Sequence, residues 1–339
     1  MKNKKFINKK PFFIAEISSN HCGSINLAKK LINDAKKYGF DAVKLQTYTA
    51  DCMTNKQSKF KISHGLWKNK SLWKLYNKAR TPLEWHKKLF CYAKKINMKI
   101  FSTPFSIKSL HFLENLKCPI YKVSSFEITD LELIKQIAKT KKPMIISTGL
   151  ANLKEIKQAV LIAKKNGCKD LTLLYCVSNY PSNNSDFNIN NLKILKNKFK
   201  CRIGLSDHSN SYIPGILSIS NGAEVFEKHI ASNSQKSFDF QFSSKGLEIF
   251  EYKKNIIEAY KMSKNNKFTR SKSEMANLIF RRSIYANQDI KKGETITKNN
   301  VINLRPLLGI PANYLYRILG KKLKKNVKKG RPINNSLFK

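Results

Sequence analysis

The sequence predicts an α/β chain closed into a (β/α)8 TIM barrel with a small second domain behind it. Three observations carry this: eight short apolar, β-rich runs alternate with amphipathic helical patterns, the runs share one kind of polar ending, and the alternation stops near residue 263. The runs are FFIAEISS (12–19), AVKLQTY (42–48), KIFSTPF (99–105), IYKVSSF (120–126), PMIISTG (143–149), LTLLYCVS (171–178), CRIGLSDH (201–208) and EVFEKHI (224–230). Their apolar stretches are continuous rather than alternating, as parallel strands buried on both faces require. Between them, stretches such as INLAKKLINDAKKYG and LKEIKQAVLIAKKNG place apolar residues at helical spacing and end on a capping glycine.

Nearly every run finishes in polar or charged residues: Glu16, Lys44 and Gln46, Ser102 and Thr103, Lys122 with Ser125 and Glu127, Ser147, Ser178 and Tyr180, Ser206 to His208, and Lys228 with His229. In a barrel the C-terminal strand ends line one mouth, so these side chains are expected to converge there. The insertion at 49–80 is far longer than an ordinary βα loop and predicts an excursion over that mouth. Its Trp67 and Trp73 are expected to pack locally. The barrel domain is assigned to 1–265, a polar linker to 266–280, and a small domain to 281–339, where KKGE and KKGR mark turns between short β-like runs. A domain of that size has a marginal core and is expected to pack on something larger.

Composition excludes several classes. With 41% hydrophobic residues the 339-residue chain is neither disordered nor fibrous. The net charge of +43 invites a nucleic-acid reading, but only 8 of the 65 basic residues are arginine, and the lysines are spread along nearly every segment. Arginine is the residue that forks onto phosphate and bases, so no nucleic-acid partner is expected, although anionic substrates are attracted. Seven scattered cysteines without a C-x-x-C pair fit neither a disulfide framework nor a zinc ribbon, and point to a reducing cytoplasm. The basic start before PFFIAEISS mimics a signal peptide, but Glu16 cuts its apolar run short. No stretch approaches the roughly 20 apolar residues of a membrane span.

The expected mouth residues suggest chemistry. His208 and His229 close neighbouring strands, and two neutral imidazoles there could hold a divalent metal with positions open to water and substrate. The spacing leaves equally open two independent polar residues, one satisfied by Asp207. Lys44, Lys122, Thr103, Ser125, Ser147 and Ser206 offer the cations and hydroxyl donors that a phosphate- or carboxylate-bearing substrate needs. A strand-end lysine also raises a Schiff-base alternative. Glu16 and Glu127 are candidate acid–base groups, or partners of Lys44 or Lys122.

Taken together, IAEISSNHCGS, AVKLQTY, FSTPF, YKVSSFE, ISTG, YPS, GLSDHS and EKH, then DIKKGETIT and RP, resemble the sialic acid synthase family of bacteria. The resemblance runs in order over essentially the whole chain. It implies a TIM barrel joined to a C-terminal SAF (antifreeze-like) domain, in a domain-swapped homodimer. It also implies a transferase that condenses phosphoenolpyruvate with an N-acylated amino sugar to make a nonulosonic acid. By the same resemblance, His208 and His229 bind Mn2+ or Mg2+. Lys44, Thr103, Lys122, Ser125, Ser147 and Ser206 surround phosphoenolpyruvate. Glu16, Gln46 and Tyr180 meet the sugar or the intermediate, Glu127 transfers a proton, and Arg305 contacts the acyl group in the other subunit's site.

Within the family, GLWKNKSLWKLYNKARTPLEWHKKLF and SSFEITD look more like the pseudaminic acid synthases than the neuraminic acid synthases. Ser178 stands where neuraminate makers tend to carry Asn, which points the same way. N-acetylneuraminate and legionaminate synthases, and a Schiff-base aldolase, are the alternatives. One segment departs from the family: the loop 231–245 keeps Asp239 and Ser243 but lacks the usual Gly or Pro ahead of its closing helix.

Overall fold

A computed structural model describes residues 6–63, 65–233, 236–265 and 267–338, so residues 234 and 235 of the departing 231–245 loop lie outside the described residues. The chain divides into two compact units, Met1–Lys264 and Asn265–Lys339. The first is the expected barrel. Its strands are β1 (Phe12–Glu16), β2 (Ala42–Thr47), β3 (Lys99–Pro104), β4 (Tyr121–Val123), β5 (Met144–Ser147), β6 (Leu171–Cys176), β7 (Arg202–Asp207) and β8 (Val225–Ala231). Each pairs in parallel with the next, and β1 closes on β8 with Phe12 opposite Val225 and Glu16 opposite His229. A two-residue strand, β9 (Ser244–Lys245), extends the sheet beside β8.

The strands form where they do because both faces are covered. Phe12, Ile14, Val43, Phe101, Tyr121, Ile146, Leu173 and Phe226 are essentially inaccessible, and the Phe13 and Phe226 rings stack at 5.6 Å. Gly204 is required at its place in β7: a Cβ there would stand 2.0 Å from the Val225 carbonyl oxygen. The outer helices carry the predicted starts and stripes. The helix Ile25–Lys37 is capped by Ser24, whose side chain accepts from the Leu27 amide, and it buries Leu27, Ala28, Leu31, Ile32 and Ala35. The helix Leu153–Lys165 opens with a reciprocal Asn152–Glu155 capping box.

In the second unit, β10 (Ser283–Ala286) and β11 (Val301–Leu304) run antiparallel over a core that includes Ile284, Ile290, Ile296, Ile310, Leu323 and Ile333. Both predicted turns are present, with Gly293 at φ 88° and Gly330 at φ 80°, values at which glycine carries no steric cost. The segment expected to be a linker contains two helical stretches, Lys272–Met275 and Ala276–Phe280, and the Leu307 amide donates to the Ile279 carbonyl. All seven cysteines are free thiols. Among the described residues no helix is long and apolar enough to cross a membrane.

Candidate active site

The C-terminal strand ends enclose a cavity of about 370 Å³, a volume suited to a small-molecule site. Ten of the predicted site residues line it: Lys44, Gln46, Lys122, Ser125, Glu127, Ser147, Tyr180, Ser206, His208 and His229. Glu16 and Thr103 are fully buried next to Lys44, the first by an ion pair and the second by accepting from Lys44 Nζ at 3.4 Å. Ser178 is held near the wall, 3.7 Å from Cys176 Sγ. Arg305 belongs to the second unit, where it lines a shallow depression with Arg282 and Asn303.

Beneath the cavity runs a chain of four buried charges, Glu16, Lys44, Glu227 and Lys122. Glu227 Oε1 lies 2.5 Å from Lys122 Nζ and 3.7 Å from Lys44 Nζ, and accepts from Ser206 Oγ at 3.3 Å. Burial alone would neutralise such groups, and the outcome is set by how many opposite charges each one faces. Burial drives the Glu16 carboxyl up, and Lys44 only partly opposes it. Burial likewise pushes Lys44 down, but the Glu16 and Glu227 carboxylates outweigh it and hold the ammonium above its ordinary range. For Glu227, burial is overcome by Lys122 and Lys44, which keep the carboxyl below its ordinary range. Lys122 is left lowered, because burial outweighs Glu227, its one close partner. Sequence reading missed Glu227. It had Glu16 or Glu127 as the partners of both lysines, whereas Lys122 pairs with Glu227, and Glu127 instead accepts from Ser124 Oγ. Glu127 lines the cavity with its carboxyl raised by burial, the direction that helps a carboxyl hold and pass a proton.

Ser102, Asp207 and Lys228 were assigned to the mouth with the rest, and none of the three lines the cavity. Successive side chains point to opposite faces of a strand, so Ser206 and His208 enter the cavity while Asp207 turns outward. In the same way Glu227 and His229 face in and Lys228 faces the helices, where its ammonium donates to the Ser209 carbonyl. Asp207 Oδ1 accepts from both the Ser209 amide, at 2.8 Å, and its hydroxyl, at 2.7 Å, and so shapes the turn after β7. Tyr180 meets the cavity through its ring, 4.3 Å from the His208 ring.

The two imidazoles lie 5.4 Å apart, centroid to centroid. His208 Nδ1 is 3.0 Å from the Val177 carbonyl, which can only accept, so in the neutral ring this nitrogen carries the proton; burial pushes the imidazole down, but the Cys176 thiol and the Val177 carbonyl outweigh it and hold it above its ordinary range. His229 is held neutral, well below its ordinary range, by burial and then by His208 and the nearby lysines. Its Nδ1 is buried without a hydrogen-bond partner, 3.7 Å from Asp239 Oδ2. Among the described residues no group of three or more His, Cys, Asp or Glu is set to cage a cation. Two inward-facing imidazoles, one held neutral with an orphaned nitrogen, fit an open divalent site, whose other positions go to water and substrate, and do not fit a closed structural one.

The excursion covers the mouth, as its length predicts. Met53, Ile62, Leu72, Leu75 and Tyr76 line the cavity from that side. Trp73 packs locally, its Nε1 donating to Asp51 at 2.7 Å. Trp67 does more than the local packing expected of it: its ring lies 5.7 Å from Tyr180 and 6.5 Å from Phe242, and it forms part of the cavity wall. Cys176 was also missed. Its thiol, 3.8 Å from His208 Nδ1, is drawn down to about 7 by that imidazole despite burial. A strand-end cysteine carries no mark in sequence that separates it from a core residue.

The comparisons agree with this geometry. The sequence profile of the NeuB family matches residues 31–267, and that of the SAF domain matches residues 281–339. A pseudaminic acid synthase of Helicobacter pylori is 41% identical over 331 residues, covering 96% of both chains. An N,N'-diacetyllegionaminic acid synthase of Campylobacter jejuni is 38% identical, covering 94% of this chain and 98% of that protein. The crystal structure of N-acetylneuraminic acid (sialic acid) synthetase from Leptospira borgpetersenii, in complex with citrate, superposes with a TM-score of 0.71 at 29% identity, covering 80% of this chain and 91% of that one. With this barrel, this ring of strand-end residues and matches that run nearly end to end, the chain belongs to the NeuB family and carries a SAF domain at its C-terminal end.

Proposed function

We propose that the protein condenses phosphoenolpyruvate with an N-acylated six-carbon amino sugar and water, giving a nonulosonic acid and phosphate with cleavage of the C–O bond. The acceptor we favour is 2,4-diacetamido-2,4,6-trideoxy-altrose, and the product pseudaminic acid. Three characterised pseudaminic acid synthases, 38–41% identical over nearly the whole chain, support that choice. The observation that carries the reaction class is the convergence of two buried lysines and the hydroxyls of Ser125, Ser147 and Ser206 beside two imidazoles in one cavity. A phosphate dianion needs directed donors once it leaves water. Ser147 Oγ, buried with no partner, is a donor waiting for one.

In this reading Lys44 and Lys122 hold the phosphate and carboxylate of phosphoenolpyruvate, with Thr103 steadying Lys44. His208 and His229 would hold Mn2+ or Mg2+, which supplies Lewis acidity at the acceptor carbonyl when bound. Glu127, its carboxyl raised, manages the proton of the water that adds to the enol-phosphate carbon. Glu16 holds Lys44 charged. Gln46, Tyr180 and Ser178 position the sugar. A Schiff base is disfavoured because Lys122 is tied to Glu227 at 2.5 Å and Lys44 is held protonated between two carboxylates.

The reading includes a cytoplasmic location, supported by seven free thiols, and a domain-swapped homodimer in which Arg305 serves the other subunit's cavity. Mixing inactive Arg305→Ala and His208→Ala chains tests the swap: it predicts recovered activity in the mixed dimer, and no recovery would overturn it. The reaction itself is tested by following phosphate release from phosphoenolpyruvate with Mn2+ and each candidate sugar. Release with the diacetamido-trideoxy sugar is expected, along with inhibition by EDTA and no borohydride-trapped pyruvate adduct. Turnover of N-acetylmannosamine or the legionaminate precursor alone would overturn the choice of sugar, and a trapped adduct would overturn the mechanism.

A further inference from the structure

Two segments far apart in sequence meet over the cavity mouth, and they meet on one residue. Phe238 belongs to the 231–245 loop, while Trp67, Lys70 and Lys78 belong to the 49–80 excursion. Trp67 Nε1 donates to the Phe238 carbonyl at 3.3 Å, and the Lys70 and Lys78 ammonium groups stand 4.6 and 5.9 Å from the centroid of the Phe238 ring. A ring face attracts a cation through its quadrupole. With 65 basic residues against 22 acidic ones, carboxylates are too few to pair most lysines, and here a ring serves instead.

The two segments are held differently. Asn20, 1% exposed in the turn after β1, ties the loop to the barrel: its Nδ2 donates to the Ile230 carbonyl at 2.8 Å and to Ser243 Oγ at 2.9 Å, and its Oδ1 accepts from Ser237 Oγ. Ser243 Oγ donates on to the Asp239 carbonyl at 2.6 Å, and Asp239 Oδ2 accepts from the Ser19 amide at 3.4 Å. The loop is thus fixed on both sides of Phe238 to β8 and to the turn after β1. The excursion is exposed from Asn55 through Lys61, and Trp67 stands in a tight fold where the Asn69 amide donates to the Ile62 carbonyl at 2.8 Å. Phe238 joins this fold to the anchored loop.

We propose that Phe238 is a positioning residue: it fastens the excursion over the mouth and, through Trp67, sets the enclosure in which the acceptor reacts. The role in catalysis rests on the proposed condensation, whereas the fastening rests on these contacts alone. Phosphoenolpyruvate meets the floor, whose residues stand on the strand ends and do not depend on Phe238. The acceptor fills the space that Trp67 and Ile62 wall in, so it is the substrate that feels the fastening. Each cation–π contact at a half-exposed ring shifts an equilibrium about two- to fivefold, so loss of both is expected to raise the KM of the acceptor roughly 5- to 25-fold and to leave that of phosphoenolpyruvate within about twofold.

The test uses the full-length enzyme with Mn2+, phosphoenolpyruvate and the diacetamido-trideoxy sugar, read as phosphate release, in Phe238→Ala, in Lys70→Met with Lys78→Met, and in all three combined. Neither lysine lines the cavity and the acceptor carries no charge, so the lysine substitutions reach its KM only through the Phe238 ring. Each variant is expected to raise the acceptor KM by the stated factor, the combination no further than Phe238→Ala alone, and Phe238→Tyr, which keeps the ring face, should restore the wild-type value. An unchanged acceptor KM in the lysine variant, additive effects, or an equal rise in the KM of phosphoenolpyruvate overturns the assignment. The fastening is also read without substrate: acrylamide quenching of tryptophan fluorescence is expected to rise in Phe238→Ala, and the rise should vanish in a Trp67→Phe background. Equal quenching with and without Phe238→Ala overturns the fastening. Absence of phosphate release with every sugar overturns the condensation, and the quenching then decides the fastening by itself.

Discussion

Glu227→Gln is the substitution that most directly probes how the floor is built. Glutamine keeps the shape and removes one of four buried charges, leaving Lys122 without a close anion and Lys44 with Glu16 alone. At an effective dielectric of about 20, the Glu227 attractions at 2.5 Å to Lys122 and 3.7 Å to Lys44 amount to about 7 and about 4 kcal/mol. Much of that offsets the cost of burying three ions, so the expected net loss is the roughly 3–5 kcal/mol seen when one partner of a buried pair is removed. For a barrel of this length that lowers the melting temperature by roughly 6–10 °C. A bound dianion would replace the missing negative charge. The variant should therefore bind phosphoenolpyruvate roughly tenfold more tightly and regain more of its melting temperature on binding than the wild type does. Differential scanning fluorimetry with and without phosphoenolpyruvate reads both. An unchanged melting temperature, or a smaller ligand-induced rise than in the wild type, would refute the view that Glu227 balances the two lysines.

Other outcomes follow from the same coordinates. His208→Ala and His229→Ala should each weaken Mn2+ binding by at least about tenfold, measured by titration calorimetry without substrate; retained affinity in both would remove the histidines from the metal site. Burial lowers His21 to about 4, so between pH 6.5 and 4 the unfolded chain binds the proton and the folded one does not. Stability from this group is thus present above pH 6.5 and lost as pH falls, by about 3 kcal/mol at pH 4. His21→Gln should flatten that acid-side slope in denaturant melts, and an unaltered slope would contradict the burial argument. Gly204→Ala forces a Cβ to within 2.0 Å of the Val225 carbonyl oxygen and should cost more than about 3 kcal/mol, or prevent soluble expression, since backbone at the β7–β8 seam has nowhere to go.

The barrel was legible because parallel strands covered on both faces leave an unmistakable mark: β1 and β5 are buried along their whole length, and each reads as an unbroken apolar run until its last residue. The mouth was legible for a related reason. A Lys or His at the end of such a run has no solvent to reach unless the strand opens onto a cavity. Less of the charge pairing could be read. Glu127 lies five residues after Lys122 in sequence, while Glu227, the true partner, is 105 positions away. Only barrel closure, which sets β8 across the barrel from β4, brings it into reach. Trp67 was underestimated because its role depends on where a long excursion folds back, which no local pattern specifies.

The largest gap has a simple physical cause, and it changes how GLSDHS and EKH work together. Both segments were read as blocks of functional residues, yet strand geometry deals their side chains alternately to two environments. Ser206 and His208 go inward with Glu227 and His229. Asp207 and Lys228, directly opposite each other in the β7–β8 register, go outward and are fully buried beneath the helices. Their charged atoms, 3.7 Å apart, both engage Ser209, Asp207 through its amide and hydroxyl and Lys228 through its carbonyl. This outer pair therefore fastens the turn that follows β7 to β8, and the residue between Asp207 and Ser209 is His208. Asp207 thus serves the histidine from the opposite face, by fixing the backbone from which the imidazole projects.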